Sequence, residues 1–142
     1  MRLLLDTSIL GWVCHPRKHD DVRAWFRSAL GVHDILVSEV ADYELRRELL
    51  RIGATRSIAH LDELGRELVY VPVTTATWRS AARHWAELRR AGRVTAPVEA
   101  LDADVLIAAQ ALAEEATVVT SNSRHFQALV KALEWRDVPL SD

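Results

Sequence analysis

Three short stretches of this chain each set a carboxylate where an apolar run meets a helix start or a helix face. They are Arg2-Leu3-Leu4-Leu5-Asp6-Thr7-Ser8, the segment from Ser38 to Leu50 around Glu44, and Leu101-Asp102-Ala103-Asp104-Val105-Leu106-Ile107-Ala108-Ala109. An acid at the end of an apolar run stands at the edge of a core, half desolvated. A negative charge there is costly unless a cation or several hydrogen-bond donors meet it. Several such acids, distant in sequence and able to converge in a fold, are what a hard divalent metal site needs.

Each acid also has a plainer reading. Asp6 could simply cap the helix opening at Thr7-Ser8, since Asp is a preferred N-cap and anions suit a helix N-terminus. Asp102 and Asp104 could be the cap and second residue of a buried helix, although two acids at one helix start exceed what capping requires. No Lys or Arg stands between Arg93 and Arg124, so a metal or a distant arginine must supply their counter-charge. Glu44 lies beside an Ala41-Leu45-Leu49 stripe, a rim position where a glutamate is usually solvated or paired with a neighbour such as Arg47. Thr120-Ser121-Asn122, taken alone, is a turn with capping capacity.

The elements that must bring these residues together follow from periodicity and caps. Leu3 to Leu5 reads as a buried strand ending at Asp6, with a short helix over Ser8 to Val13 stopped by Pro16. A helix from Asp20 or Asp21 to about Leu30 carries Val22, Trp25, Phe26 and Leu30 inward, and Gly31 ends it. Ile35 to Val37 reads as a strand, and Ser38 as the N-cap of a helix to about Arg51 with a core stripe of Ala41, Leu45, Leu49 and Ile52. After Gly53 come a helix over 57–68, a strand over 69–73, and a long helix from the Thr74-Thr75 caps to Arg90. Residues 92–100, with Pro97, read as a loop. A helix from Asp102 or Ala103 to Glu114 is apolar on nearly every side and should be buried. Thr117 to Val119 is a strand, 123–133 is expected to be helical, and 135–138 to form a last edge strand. Short apolar strands alternating with helices predict an α/β fold, a three-layer α/β/α sandwich with a mainly parallel central sheet. Ligands bind such sheets off the carboxyl ends of the strands, where Asp6 and Thr120 to Asn122 would sit.

Composition sets the bounds. A chain of 142 residues, 49% hydrophobic and 27% charged, is one domain's worth with a proper core. The one cysteine, Cys14, excludes an internal disulfide and points to a reducing compartment. Asp6 interrupts the only apolar N-terminal run, so no secretory leader is read. No stretch approaches a membrane span, and a cytoplasmic protein is expected. The formal net charge of -2 gives no global signal for nucleic acid. Charge is nevertheless segregated: five acids lie between Glu99 and Glu115, and five arginines between Arg79 and Arg93. Arg79, Arg83, Arg90 and Arg93 could track an RNA backbone or simply be solvated. Trp78, Ala81, Ala82, Trp85 and Leu88 share one face of the long helix, which suits a core or a dimer face.

Taken together, these blocks resemble the PIN domain, and in particular the small VapC-like ribonuclease toxins of bacterial toxin–antitoxin pairs. The resemblance runs end to end, as one PIN domain over 1–142. It rests on the Leu-Leu-Leu-Asp6-Thr7-Ser8-Ile9-Leu10 opening and on Ser38 followed by Glu44. It continues with Asp104-Val105-Leu106-Ile107-Ala108-Ala109-Gln110-Ala111 and closes with Val118-Val119-Thr120-Ser121-Asn122-Ser123-Arg124-His125-Phe126. It implies a Mg²⁺- or Mn²⁺-dependent endoribonuclease in which Asp6, Glu44 and Asp104 are the core catalytic and metal-holding acids. Asp102 matches an additional metal-holding acid of some relatives. Thr7, Ser8, Thr120 and Asn122 would support the carboxylates or waters. Many relatives carry an Asp where this chain has Asn122, an amide that adds no charge. The resemblance also implies products with 5'-phosphate and 3'-hydroxyl ends, a homodimer, and a cognate antitoxin protein as partner.

Other constellations are weaker. Cys14, His15 and His19 match no structural zinc spacing. A haloacid-dehalogenase-like phosphatase would need a second Asp where Ser8 stands. Two further readings stay open: a non-catalytic PIN-fold module that binds RNA or protein, and a housekeeping RNA-processing nuclease.

Overall fold

Leu3, Leu4 and Leu5 are fully buried on the central strand of a five-stranded sheet, seen in a computed structural model that describes residues 1–92 and 98–141. A strand covered on both faces tolerates an unbroken apolar run, which is why these leucines do not alternate with polar residues. The strands are β1 (Arg2–Leu5), β2 (Asp34–Ser38), β3 (Val69–Val71), β4 (Thr117–Thr120) and β5 (Ala132–Glu134), ordered β3-β2-β1-β4-β5. Every neighbouring pair is parallel. The helices are α1 (Thr7–Cys14), α2 (Asp20–Leu30), α3 (Glu39–Ile52), α4 (Thr55–Glu67), α5 (Thr75–Ala91) and α6 (Val98–Ala113). This is the three-layer α/β/α arrangement that the alternation of strands and helices predicts.

Local chemistry sets the element ends. Ser38 accepts the Ala41 N–H at 3.1 Å and caps α3, while Thr74 accepts the Thr77 N–H at 3.1 Å and caps α5. Gly53 closes α3 at φ 70°, a left-handed conformation that only glycine adopts without strain. Leu5 is in register with Val37 on one side and Val119 on the other. The carboxyl ends of β1, β2 and β4 therefore align, and Asp6, Ser38 and Thr120 stand at one edge of the sheet.

One buried polar link ties α6 to that edge. Ser38 Oγ donates to Gln110 Oε1 at 2.5 Å, and Gln110 Nε2 donates to the Val71 carbonyl at 2.9 Å. The second face of α6 packs on α5 through Ala81, Leu88, Val105 and Ala109.

Several sequence expectations need correction. Residues 123–133 form no continuous helix, only a 3-10 turn at Ser123–His125 followed by further turns. Asn122 accepts the Arg124 N–H and closes a tight local turn, in which a longer helix does not start. The last strand is Ala132–Glu134, and Trp135–Asp137 is a 3-10 turn. Val118 N–H bonds the Lys131 carbonyl, which sets β5 earlier than the aromatic at 135 suggests. Helix α6 begins at Val98, so Asp102 and Asp104 lie inside it and do not cap it. Of the expected 92–100 loop, residues 93–97, Pro97 among them, lie outside the described residues. Leu30 and Ile52 were expected to face the core but end exposed, because each stands in the last turn of its helix as the chain leaves the sheet. Among the described residues no helix is long and apolar enough to cross a membrane.

Candidate active site at the carboxyl edge of the sheet

Asp6 follows β1 directly, and its N–H continues the ladder by donating to the Val119 carbonyl at 3.0 Å. Its side chain accepts from Ile9 N–H at 3.1 Å and from Ser8 Oγ at 2.9 Å through Oδ1. The Thr120 hydroxyl donates to Oδ2. Asp6 does cap α1, and the cap occupies one oxygen. The other is held by a residue 114 positions away, which capping does not require. With only 8% of its surface exposed, Asp6 has its carboxyl pushed up by burial. The Thr120, Ile9 and Ser8 bonds oppose that rise and the nearby Glu44 charge adds to it.

Glu44 projects from α3 and accepts from Thr7 Oγ1 at 2.5 Å. Its other oxygen stands 4.0 Å from Arg47 Nη2. Asp104 comes from α6, and its carboxyl is pushed up to about 7, first by burial, then by the charges of Asp6 and Glu44. Asp104 Oδ2 is buried without a hydrogen-bond partner among the described residues. His125 Nδ1 is 3.8 Å away, beyond hydrogen-bond reach.

These three acids line one cavity of about 350 Å³ with Thr7, Ser8, Thr120 and Asn122. Among the described residues no Lys or Arg lines it. Asp102 stands apart: two residues along a helix turns the side chain by roughly 200°. It is exposed and lines an adjoining groove with Glu44, Tyr43 and Trp78. Asn122 is engaged locally, its Oδ1 accepting from Arg124 N–H at 3.3 Å and its Nδ2 lying 3.3 Å from His125 Nε2.

Two site residues escape the sequence reading. Ser121 shares a hydrogen bond of 2.9 Å with Ser8 across the cavity mouth. His125, to which the sequence reading assigns no role, lines the cavity beside Asp104. The signal for both was the polar run closing a buried strand.

The donor set fits a hard dication. All three acids offer oxygen, one oxygen is orphaned in a buried position, and the burial and mutual repulsion that raise Asp104 are what a bound cation offsets. Among the described residues no three His, Cys, Asp or Glu groups approach closely enough to form a ready-made cage. A dication held by these acids would keep waters in part of its ligand set. The Cys14, His15 and His19 cluster offers no rival centre. Cys14 is buried with its thiol pushed up to about 12 by burial, and His15 Nδ1 accepts from the Arg17 and Lys18 N–H groups.

Comparison with known proteins bears on the whole chain. The PIN domain family profile matches residues 3–131. Among solved structures, a chain of VapBC2 from Rickettsia felis, bound to a DNA fragment from their promoter, superposes with a TM-score of 0.77 at 21% identity, over 95% of this chain and 99% of that one. DNA-bound VapBC from Salmonella typhimurium gives 0.75 at 22% identity, over 95% and 98%. FitAcB from Neisseria gonorrhoeae gives 0.71 at 22% identity, over 96% and 99%. At such identities the likeness is one of fold. A search of curated proteins gives no match.

Proposed function

The chain belongs to the PIN domain family, and from that premise we propose that it is a Mg²⁺- or Mn²⁺-dependent endoribonuclease, the toxin of a toxin–antitoxin pair. The observation that carries this reading is Asp104 Oδ2, buried beside Asp6 and Glu44 with no hydrogen-bond partner, and no Lys or Arg in the cavity, among the described residues.

Asp6, Glu44 and Asp104 would hold the cation. When bound, the dication offers positive charge to phosphate oxygens and acidifies water for in-line attack on phosphorus. The chain's own groups prepare that site. Ser8, Ile9 N–H and Thr120 fix both oxygens of Asp6, and Thr7 fixes one oxygen of Glu44. Bonds of this kind orient carboxylates and resist their collapse onto one another. Asp104 keeps a free oxygen for the cation. Ser121 and Asn122 at the cavity mouth present donors to a phosphate oxygen. Asp102, on the adjoining groove, stands where it can influence a second cation or an incoming strand.

The partners follow from the same reading. Tyr43 and Trp78 are exposed on the groove that reaches Glu44. Exposed aromatics of this kind are enriched at protein interfaces, and the antitoxin and a second copy of the chain are the proposed occupants. The neighbours' VapBC complexes support a cytoplasmic toxin over a housekeeping nuclease.

The test uses the purified chain. Calorimetry should detect Mn²⁺ binding, and RNA should be cut only with Mg²⁺ or Mn²⁺. Asp6→Asn and Asp104→Asn should abolish both. Metal binding without cleavage of any RNA would leave a binding module, and cleavage that survives both changes would remove these acids from the mechanism.

A further inference from the structure

A second cavity, of about 370 Å³, opens beside the acid site and shares Ser121 with it. Its volume falls within the roughly 300–1,000 Å³ of small-ligand sites. Two indoles, Trp12 from α1 and Trp135 from the turn after β5, form its walls. Both are braced. His19 stacks on Trp12 with ring centroids 5.2 Å apart, and Trp25 meets Trp135 at 6.2 Å. His19 holds this position at φ 61°, in the left-handed region that non-glycine residues seldom occupy. Such strain persists only where surrounding contacts enforce it.

The polar groups of this cavity are asymmetric. Glu134 lies in register with Thr120 across the β4–β5 pair, so it stands one strand over from the residue that holds Asp6. Among the described residues the side chains of Glu134 and Asp137 make no hydrogen bond or ion pair. Arg136, 3.6 Å from Asp21, places a guanidinium 4.6 Å over the Trp135 ring at the rim. Glu134, Asp137, Asp21 and Arg136 all line the opening, the first two as exposed carboxylates. Two indole walls with carboxylates and a guanidinium at the rim match a flat ring with a donor edge joined to a phosphate.

We propose that this cavity receives the nucleobase next to the scissile phosphate, and that it selects guanine. This rests on the nuclease reading for its place in catalysis. Unstacked bases of single-stranded RNA are recognised by aromatic stacking and by hydrogen bonds to their edges. Guanine alone presents N1–H and N2–H donors side by side, and the two oxygens of Glu134 accept both. Adenine and cytosine offer one amino group, and uracil a single N–H.

The experiment titrates the full chain, without metal, with guanosine, inosine, adenosine, cytidine and uridine 5'-monophosphates. Tryptophan fluorescence and NMR shifts of the indole N–H groups follow binding. Guanosine monophosphate should bind about ten-fold tighter than inosine monophosphate, which lacks the N2 amino group. Glu134→Gln should erase that difference while the fold, checked by circular dichroism, persists. Trp135→Leu should weaken every nucleotide. With Mn²⁺, cleavage of a random oligoribonucleotide pool should show guanine beside the cut, and Glu134→Gln should lose that preference. Absence of nucleotide binding, an unchanged preference in Glu134→Gln, or tighter binding of free arginine than of any nucleotide would each overturn the proposal. Guanosine monophosphate binding without RNA cleavage would fail the nuclease reading and leave the base site. Cleavage without nucleotide binding would fail the base site alone.

Discussion

The Thr7 hydroxyl donates to Glu44 across 2.5 Å, joining the start of α1 to the middle of α3 over 37 residues of sequence. Glu44 is half-buried, and among the described residues the basic group within ion-pair reach of it is Arg47, at 4.0 Å. Thr7 therefore decides which way the carboxylate faces. Thr7→Val keeps the shape and removes the donor. Cleavage should fall about 10–100-fold, the usual cost of removing a group that orients a metal ligand, and Mn²⁺ affinity should fall with it. Thr7→Ser should retain most of both. Equal losses in Thr7→Ser and Thr7→Val would assign the effect to packing.

Asp104 gives the site a pH signature. Its folded-state carboxyl titrates near 7 against an ordinary value of 3.8, so the folded state binds this proton more tightly than the unfolded chain. The stabilisation it contributes is complete below about pH 4 and is lost as pH rises through about 7. Without metal, the thermal midpoint should drop over that window. Asp104→Asn should flatten the drop and raise the midpoint at pH 8 by about 3–8 °C. Apparent Mn²⁺ affinity should move the opposite way, rising toward pH 7 and levelling above it, with proton release on binding. A metal affinity independent of pH between 5.5 and 8 would contradict this.

What could be read from residues alone divides along physical lines. The strand at Leu3 to Leu5 and the caps at Ser38 and Thr74 were legible because burial and capping leave local marks. The convergence of Asp6, Glu44 and Asp104 was suggested by each acid standing at an apolar edge, and it becomes geometry only through the parallel register of β1 with β2 and β4. The difference between Asp102 and Asp104 was not legible. It depends on where α6 begins, and the start at Val98 turns one acid into the site and the other onto the adjoining groove. The 123–133 segment misled for a related reason: its apolar spacing suits a helix, but the Asn122 turn and the β4–β5 pairing take the chain elsewhere. Its polar residues reach the cavity through that departure.

Gln110 is fully buried and bridges Ser38 to the Val71 carbonyl. It holds the helix that carries Asp104 against β2 and β3. Gln110→Ala would leave a hydroxyl and a carbonyl unpaired in the core and open a void. Urea unfolding should show a loss of about 2–4 kcal/mol, and cleavage at a temperature where the variant stays folded should fall as well. A loss below about 1 kcal/mol would mean that water or a rearranged Ser38 replaces the amide.

Asn122 stands at the cavity mouth where an acid would add a fourth charge. Asn122→Asp keeps an oxygen to accept the Arg124 N–H and loses the Nδ2 group beside His125. Without metal, the added charge repels Asp6, Glu44 and Asp104, so the thermal midpoint at pH 8 should fall by a few degrees, about 1 kcal/mol. With Mn²⁺, the same charge joins the cation's field, and affinity should rise several-fold. The two shifts must have opposite signs if the cavity is a cation site. A variant that is less stable without metal and binds Mn²⁺ no better would place position 122 outside the cation's reach, and its amide would then serve the 3-10 turn alone.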